Sequence, residues 1–174
     1  MTNFAVDVEA DGPAPGLFSM VSFGAVVVED GLHRTFYGQV APLYEADWDA
    51  NALAVSGHSR EEHLAFPSPA IIIPRFAKWV EDNSKGRAIF WADNNGFDWQ
   101  FINYYMHRFN NGHNPFGFSS QNINSLWKGI TRDCFSSFKH LRDTKHTHHP
   151  VDDAKGNAEA MLKMRDQKNV KFGR

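Results

Sequence analysis

The sequence contains one cysteine, Cys134, so it holds no internal disulfide and no cysteine-built zinc site; this usage fits a reducing compartment. It has no apolar run near the ~20 residues that a membrane-spanning helix needs, so no transmembrane segment is expected. The first residues, MTNFAVDVEADG, lack a basic start followed by an apolar stretch, and a soluble cytoplasmic protein is the expectation. Net charge is scarce, only −2 over 174 residues, and on its own advertises no polyanionic partner. No repeat, low-complexity tract or linker interrupts the chain. With 42% hydrophobic content, residues 1–174 are expected to form one domain around one core.

What is present is unevenly placed. Residues 1–127 hold 7 Lys+Arg against 14 Asp+Glu, whereas residues 128–174 hold 11 against 6. Such an asymmetry suits a solvated helical tail equally well as an acidic centre beside a basic, polyanion-attracting surface. Fifteen Phe and five Trp are many for this length. Aromatic faces stack on single-stranded bases, but burial is the default for large apolar side chains, and most of these belong to the core.

Asn3 to Ala10 alternates with period two and predicts a strand with Asp7 and Glu9 on one face. LFSMVSFGAVVVED and LHRTFYGQVAP predict two further strands around an Asp30-Gly31 turn, making an antiparallel meander. The polar stretch from Tyr44 to His63 predicts one or two short helices. Ser68-Pro69 opens a helix with an N-cap and a first-turn proline, its stripe being Ile72, Phe76, Trp79 and Val80, with Pro74 expected to kink or delay it. RAIFWAD predicts a strand, followed by an Asn94-Asn95-Gly96 turn and a helix carrying Phe97, Phe101, Tyr104 and Tyr105. A helix around NINSLWKGI and a last one from Pro150 complete a mixed α/β domain.

Two carboxylates inside an otherwise apolar strand need a reason, because an unpaired buried charge costs several kcal/mol or forces a proton on. A hard divalent cation between Asp7 and Glu9 removes that cost and wants oxygen ligands. Asp98, in GFDWQF, and Asp152 and Asp153, in HTHHPVDDAK, lie in helix first turns, where acids are favoured by the macrodipole alone. Each signal is weak singly.

Together and in this order, AVDVEADG, NNGFDWQF and HHPVDDA resemble the three motifs of the DEDDh 3′–5′ exonuclease superfamily, over residues 4 to about 165. The small stand-alone exoribonucleases, such as ribonuclease T and the mycobacterial-type adenylate-preferring enzymes, are the most similar branch. The resemblance implies a ribonuclease H-like mixed sheet, an antiparallel three-strand meander followed by parallel strands, flanked by helices. It makes Asp7, Glu9, Asp98 and Asp153 ligands of two Mg²⁺ or Mn²⁺ ions and His148 the general base. The family spacing of histidine, four residues, aspartate fits His148 with Asp153; His146 and His149 fall outside that frame. The resemblance also implies a homodimer acting on single-stranded nucleic acid, RNA favoured, with Ala10 and Phe18 near the terminal nucleotide. Two positions depart from common relatives: Asp93-Asn94 replaces His-Asn, and Ala10-Asp11-Gly12 replaces Thr-Thr-Gly.

Three other readings compete. A single-strand DNA exonuclease would carry the same motifs. A non-catalytic nucleic-acid-binding relative would be expected to have lost at least one of the five positions. A zinc hydrolase built on the histidine cluster lacks a partner element with ligand spacing.

Overall fold

A computed structural model describes residues 1–172. Its centre is β1 (Thr2–Ala10), flanked by β2 (Met20–Val27), β3 (Thr35–Gln39), β4 (Ala88–Ala92) and β5 (Ser120–Asn122) in the order β3-β2-β1-β4-β5. The β1–β2 and β2–β3 pairs are antiparallel, and β1–β4 and β4–β5 are parallel, which is the expected meander followed by parallel strands. The helices are α1 (Ala50–Val55), α2 (Arg60–Ala65), α3 (Pro69–Asp82), α4 (Asn95–Phe109), α5 (Ile123–Thr131) and α6 (Pro150–Lys168). Among the described residues, no helix is long and apolar enough to cross a membrane.

The alternation of β1 divides its residues between the two faces of the sheet. Phe4, Val6, Val8 and Ala10 enter the main core with Phe23, Phe76, Phe101, Ile102 and Tyr105, from β2, α3 and α4. Ala5 lies on the opposite face, packed against Ala154 and Ala158 of α6, and Asp7 and Glu9 continue that face. Small residues there let α6 lie close to the sheet. The tightest approach is at Gly24, the register partner of Asp7: a Cβ on it would come within 2.4 Å of the Pro150 and Val151 backbone. Glycine inside a strand therefore brings the start of α6, with Asp153, against the acidic part of β1.

Three details differ from the sequence expectation. Pro74 does not break α3, which runs unbroken over Pro69–Asp82 with Ile72, Ile73, Phe76, Ala77 and Val80 buried. Tertiary burial of that stripe outweighs the one backbone hydrogen bond the proline removes. The Asp30-Gly31 turn forms as expected, the Leu32 N–H donating to the Glu29 carbonyl at 3.2 Å. The strands stop short of it, so the connection spans residues 28–34 with Gly31 (φ 86°) and Leu32 (φ 49°) both left-handed. The short strand β5 carries no periodic signal in its three residues, and it exists because it completes the edge beside β4.

Candidate active site

The acidic end of β1 begins where the β1–β4 ladder stops. The parallel pairing covers Thr2 to Ala5, so the Val8 N–H has no strand partner on that side, and Asp98 Oδ1 accepts it at 3.0 Å. This bond anchors the first turn of α4 to β1 and holds Asp98 at 3% exposure. On the other side α6 delivers Asp153, only 1% exposed. Its carboxylate accepts the Thr147 N–H at 3.0 Å and the His148 N–H at 3.1 Å, one on each oxygen. The loop ahead of α6 is thus wrapped around Asp153, with His148 in the left-handed region at φ 61°.

Asp7, Glu9 and Asp153 each place a carboxylate oxygen within 4.8 Å of the other two. Burial raises Asp7 well above the ordinary carboxylate range, and the charges of Asp98, Glu9 and Asp153 add to the rise. Burial and then Asp153 push Glu9 up to about 8. Asp98 is also raised by burial, which outweighs the lowering effect of the Val8 hydrogen bond. Among the described residues, no lysine or arginine is ion-paired with Asp7 or Glu9. The nearest counter-group to Glu9 is His148, whose Nδ1 stands 3.5 Å from Oε1. A set of hard oxygen donors that cannot all ionise without a cation fits Mg²⁺ or Mn²⁺. The His148 ring is half-exposed on the rim of this acidic trio.

Other acids of the region are already satisfied. Asp93 points to Arg142 Nη2 at 3.0 Å and Lys139 Nζ at 3.7 Å, and it reaches the centre only as a charge that raises Asp98. Asp11, fully buried, accepts Ser19 N–H and is ion-paired with Arg60 at 3.1 Å, with His63 Nδ1 3.7 Å away. That cluster ties α2 to the loop after β1 and explains the polar REEH segment, which periodicity alone left without a role.

His146 departs from the sequence expectation. Its Nδ1 lies 2.7 Å from Asp153 Oδ2, so it reaches the carboxylate despite lying outside the spacing frame. The segment is a loop, and offsets counted along a helix do not govern which side chains meet in one. His149 does turn away: its ring stacks on Tyr37 with centroids 4.9 Å apart, and Nδ1 is 3.8 Å from Asp152.

Beside Glu9 opens a cavity of about 640 Å³ lined by Ala10, Gly12, Pro13, Phe18 and Phe97, among others. Phe18 folds back over Gly12 so closely that a Cβ there would sit 2.0 Å from its ring, which explains the glycine. The structure thus brings Ala10 and Phe18 to the acidic centre, and adds Phe97. Phe97 is one of the helical-period aromatics of α4 and looks like core from spacing alone, but the first turn of α4 tips it toward the cavity.

The family model of the 3′-5′ exoribonuclease Rv2179c-like domain matches residues 2–164. The chain belongs to that family. It is also 36% identical over 130 residues to the 3′-5′ DNA exonuclease Cap18 of Escherichia coli, covering 73% of this chain and 68% of the relative. Among solved structures, the nuclease domain of 3′hExo, a DEDDh family member bound to rAMP, superposes with a TM-score of 0.77 at 14% identity, covering 99% of this chain and 96% of that one. E. coli Exonuclease I in complex with a dT13 oligonucleotide superposes with a TM-score of 0.73 at 14% identity, covering 97% of this chain and 42% of that one. These structures share the fold, and the family assignment with them makes this Rv2179c-like chain a DEDDh 3′–5′ exonuclease.

Proposed function

We propose that the chain removes nucleotides from the 3′ end of single-stranded RNA, with Asp7, Glu9, Asp98 and Asp153 holding two Mg²⁺ or Mn²⁺ ions and His148 as general base. The observation that carries this reading is the carboxylate trio Asp7, Glu9 and Asp153, in which Asp7 and Glu9 have no lysine or arginine ion pair among the described residues, with His148 at its rim. Bound there, the ions supply Lewis-acid stabilisation of the attacking and leaving oxygens of an in-line phosphodiester displacement. His148 takes the proton of the attacking water, and its solvent-facing position lets it pass that proton out. Asp153 orients His148 through the backbone N–H bond, and Asp98 fixes β1 through Val8. Phe18 and Phe97, on the cavity wall beside Glu9, present apolar faces to the terminal base, and the Ala10 backbone passes alongside.

RNA is favoured by the family description, which is that of an exoribonuclease. A DNA substrate is the second reading, because the relative Cap18 is named a DNA exonuclease. Digestion of 5′-labelled RNA and DNA of one sequence side by side, with Mg²⁺ or Mn²⁺ and an EDTA control, tests both. Shortening of RNA from the 3′ end at the higher rate supports the proposal, and faster loss of DNA reverses it. We also propose that a second copy of the chain completes the strand-binding surface through the basic 128–174 segment. A monomer in sedimentation at micromolar concentration, with full activity, contradicts this.

A further inference from the structure

We propose that His146, His148 and Asp153 form a second metal site, suited to a borderline ion such as Zn²⁺, whose occupation switches the enzyme off. The donor atoms of these three residues lie within 4.8 Å of one another. His146 Nδ1 stands 2.7 Å from Asp153 Oδ2, a direct polar contact that an ion would replace, and the two imidazole rings have centroids 4.3 Å apart at an interplanar angle of 67°. The loop is held in this shape by the Thr147 and His148 N–H bonds to Asp153 and by the left-handed backbone at His148. Both rings are about half exposed, so an ion meets the two imidazoles directly from solvent, while the Asp153 side chain is buried beneath them.

The chemistry of the two constellations differs. Asp7, Glu9 and Asp153 offer only carboxylate oxygens, the preference of Mg²⁺ and Mn²⁺. His146, His148 and Asp153 offer two imidazole nitrogens and one carboxylate, leaving a fourth position for water, a donor set that suits Zn²⁺. Asp153 belongs to both. An ion on the second set engages the imidazole lone pair that His148 needs to accept a proton, and draws on a carboxylate of the first set. This inhibition rests on the functional reading above; the binding itself does not.

Binding is measured by calorimetric titration with Zn²⁺ and by the visible absorption of Co²⁺, on the wild-type chain and on His146→Ala, Asp7→Asn and His149→Ala. The expected result is that His146→Ala weakens Zn²⁺ binding at least about tenfold and loses the Co²⁺ bands, since even supporting groups around a metal are worth that much. Asp7→Asn and His149→Ala should retain both signals. In Mg²⁺-supported digestion, Zn²⁺ should inhibit the wild type, and His146→Ala should need at least about tenfold more Zn²⁺ for half-inhibition while keeping its Mg²⁺ rate within a few-fold. Unchanged binding in His146→Ala, or binding lost in Asp7→Asn, overturns the site. Binding that depends on His146 in a chain with no nuclease activity upholds the site and rejects the functional reading instead.

Discussion

Asp7 and Glu9 on the one hand, and Asp11 two residues further on, lie on the same stretch of chain and are treated in opposite ways. Asp11 is paired: Ser19 N–H, Arg60 and His63 surround it. Asp7 and Glu9 face Asp153 and one another, with no lysine or arginine ion-paired to either among the described residues; the charge of Arg142 lowers Asp7, but burial and the neighbouring acids outweigh it. A buried carboxylate that serves structure brings its counter-charge with it, because the desolvation cost must be met within the fold. One that leaves the counter-charge out keeps a place for an ion from solution. Burial raises Asp11 as well, against the lowering effects of Ser19 and Arg60, and the opposite pH response in its cluster is that of His63. Glu9, raised to about 8 from an ordinary value of 4.5, contributes stability below about pH 4.5 that is lost as pH rises through about 8. His63, lowered to about 4 by burial and by Arg60, contributes stability above about pH 6.5 that is lost as pH falls through about 4.

The contrast is broken most severely at Asp7. Asp7→Asn should abolish metal-supported digestion, an effect larger than that of any other single change, measured as product release from labelled single strands. His148→Ala should lower turnover about 10² to 10⁴-fold, the usual worth of a general base, with Mg²⁺ affinity little changed by calorimetry. Asp11→Ala acts on the paired acid: it orphans the Ser19 N–H and leaves Arg60 and His63 without their carboxylate. It should cost about 1–3 kcal/mol of stability in denaturant titration, while the metal response persists. His149→Ala should do least, leaving activity within a few-fold, since its ring lies on Tyr37 and beside Asp152, which is outside the acidic trio. Loss of activity there, with His148→Ala normal, would exchange the two histidines' roles.

Much of the fold was legible in the sequence because its elements carry strong periodic signals. Period two in Asn3 to Ala10 yields β1 and its acidic face, and Pro150 marks the start of α6. The five motif residues were proposed from their order and spacing against the family pattern, not from any one of them, and the fold draws Asp7, Glu9, Asp153 and His148 together. What escaped has a local explanation. Gly24 is one glycine in a run of buried residues, and only the packed α6 backbone shows why a side chain is excluded there. His146 lies in a loop, where distance to Asp153 depends on a left-handed turn that sequence spacing does not encode. The partnering of Asp11 with Arg60 and His63 joins segments about fifty residues apart, and α2 is too short to display a pattern.

The central claim, that Asp7 and Glu9 are kept for a divalent cation, is tested most directly by the melting temperature at pH 8 with and without Mn²⁺, for the wild type and Asp7→Asn. Both carboxylates carry raised pKa values, so at this pH the metal-free protein bears the most repulsion, and Mn²⁺ should raise the wild-type melting temperature more than it does at pH 5. Asp7→Asn should lose most of that rise. An equal rise in both proteins would place the ion elsewhere and contradict the account.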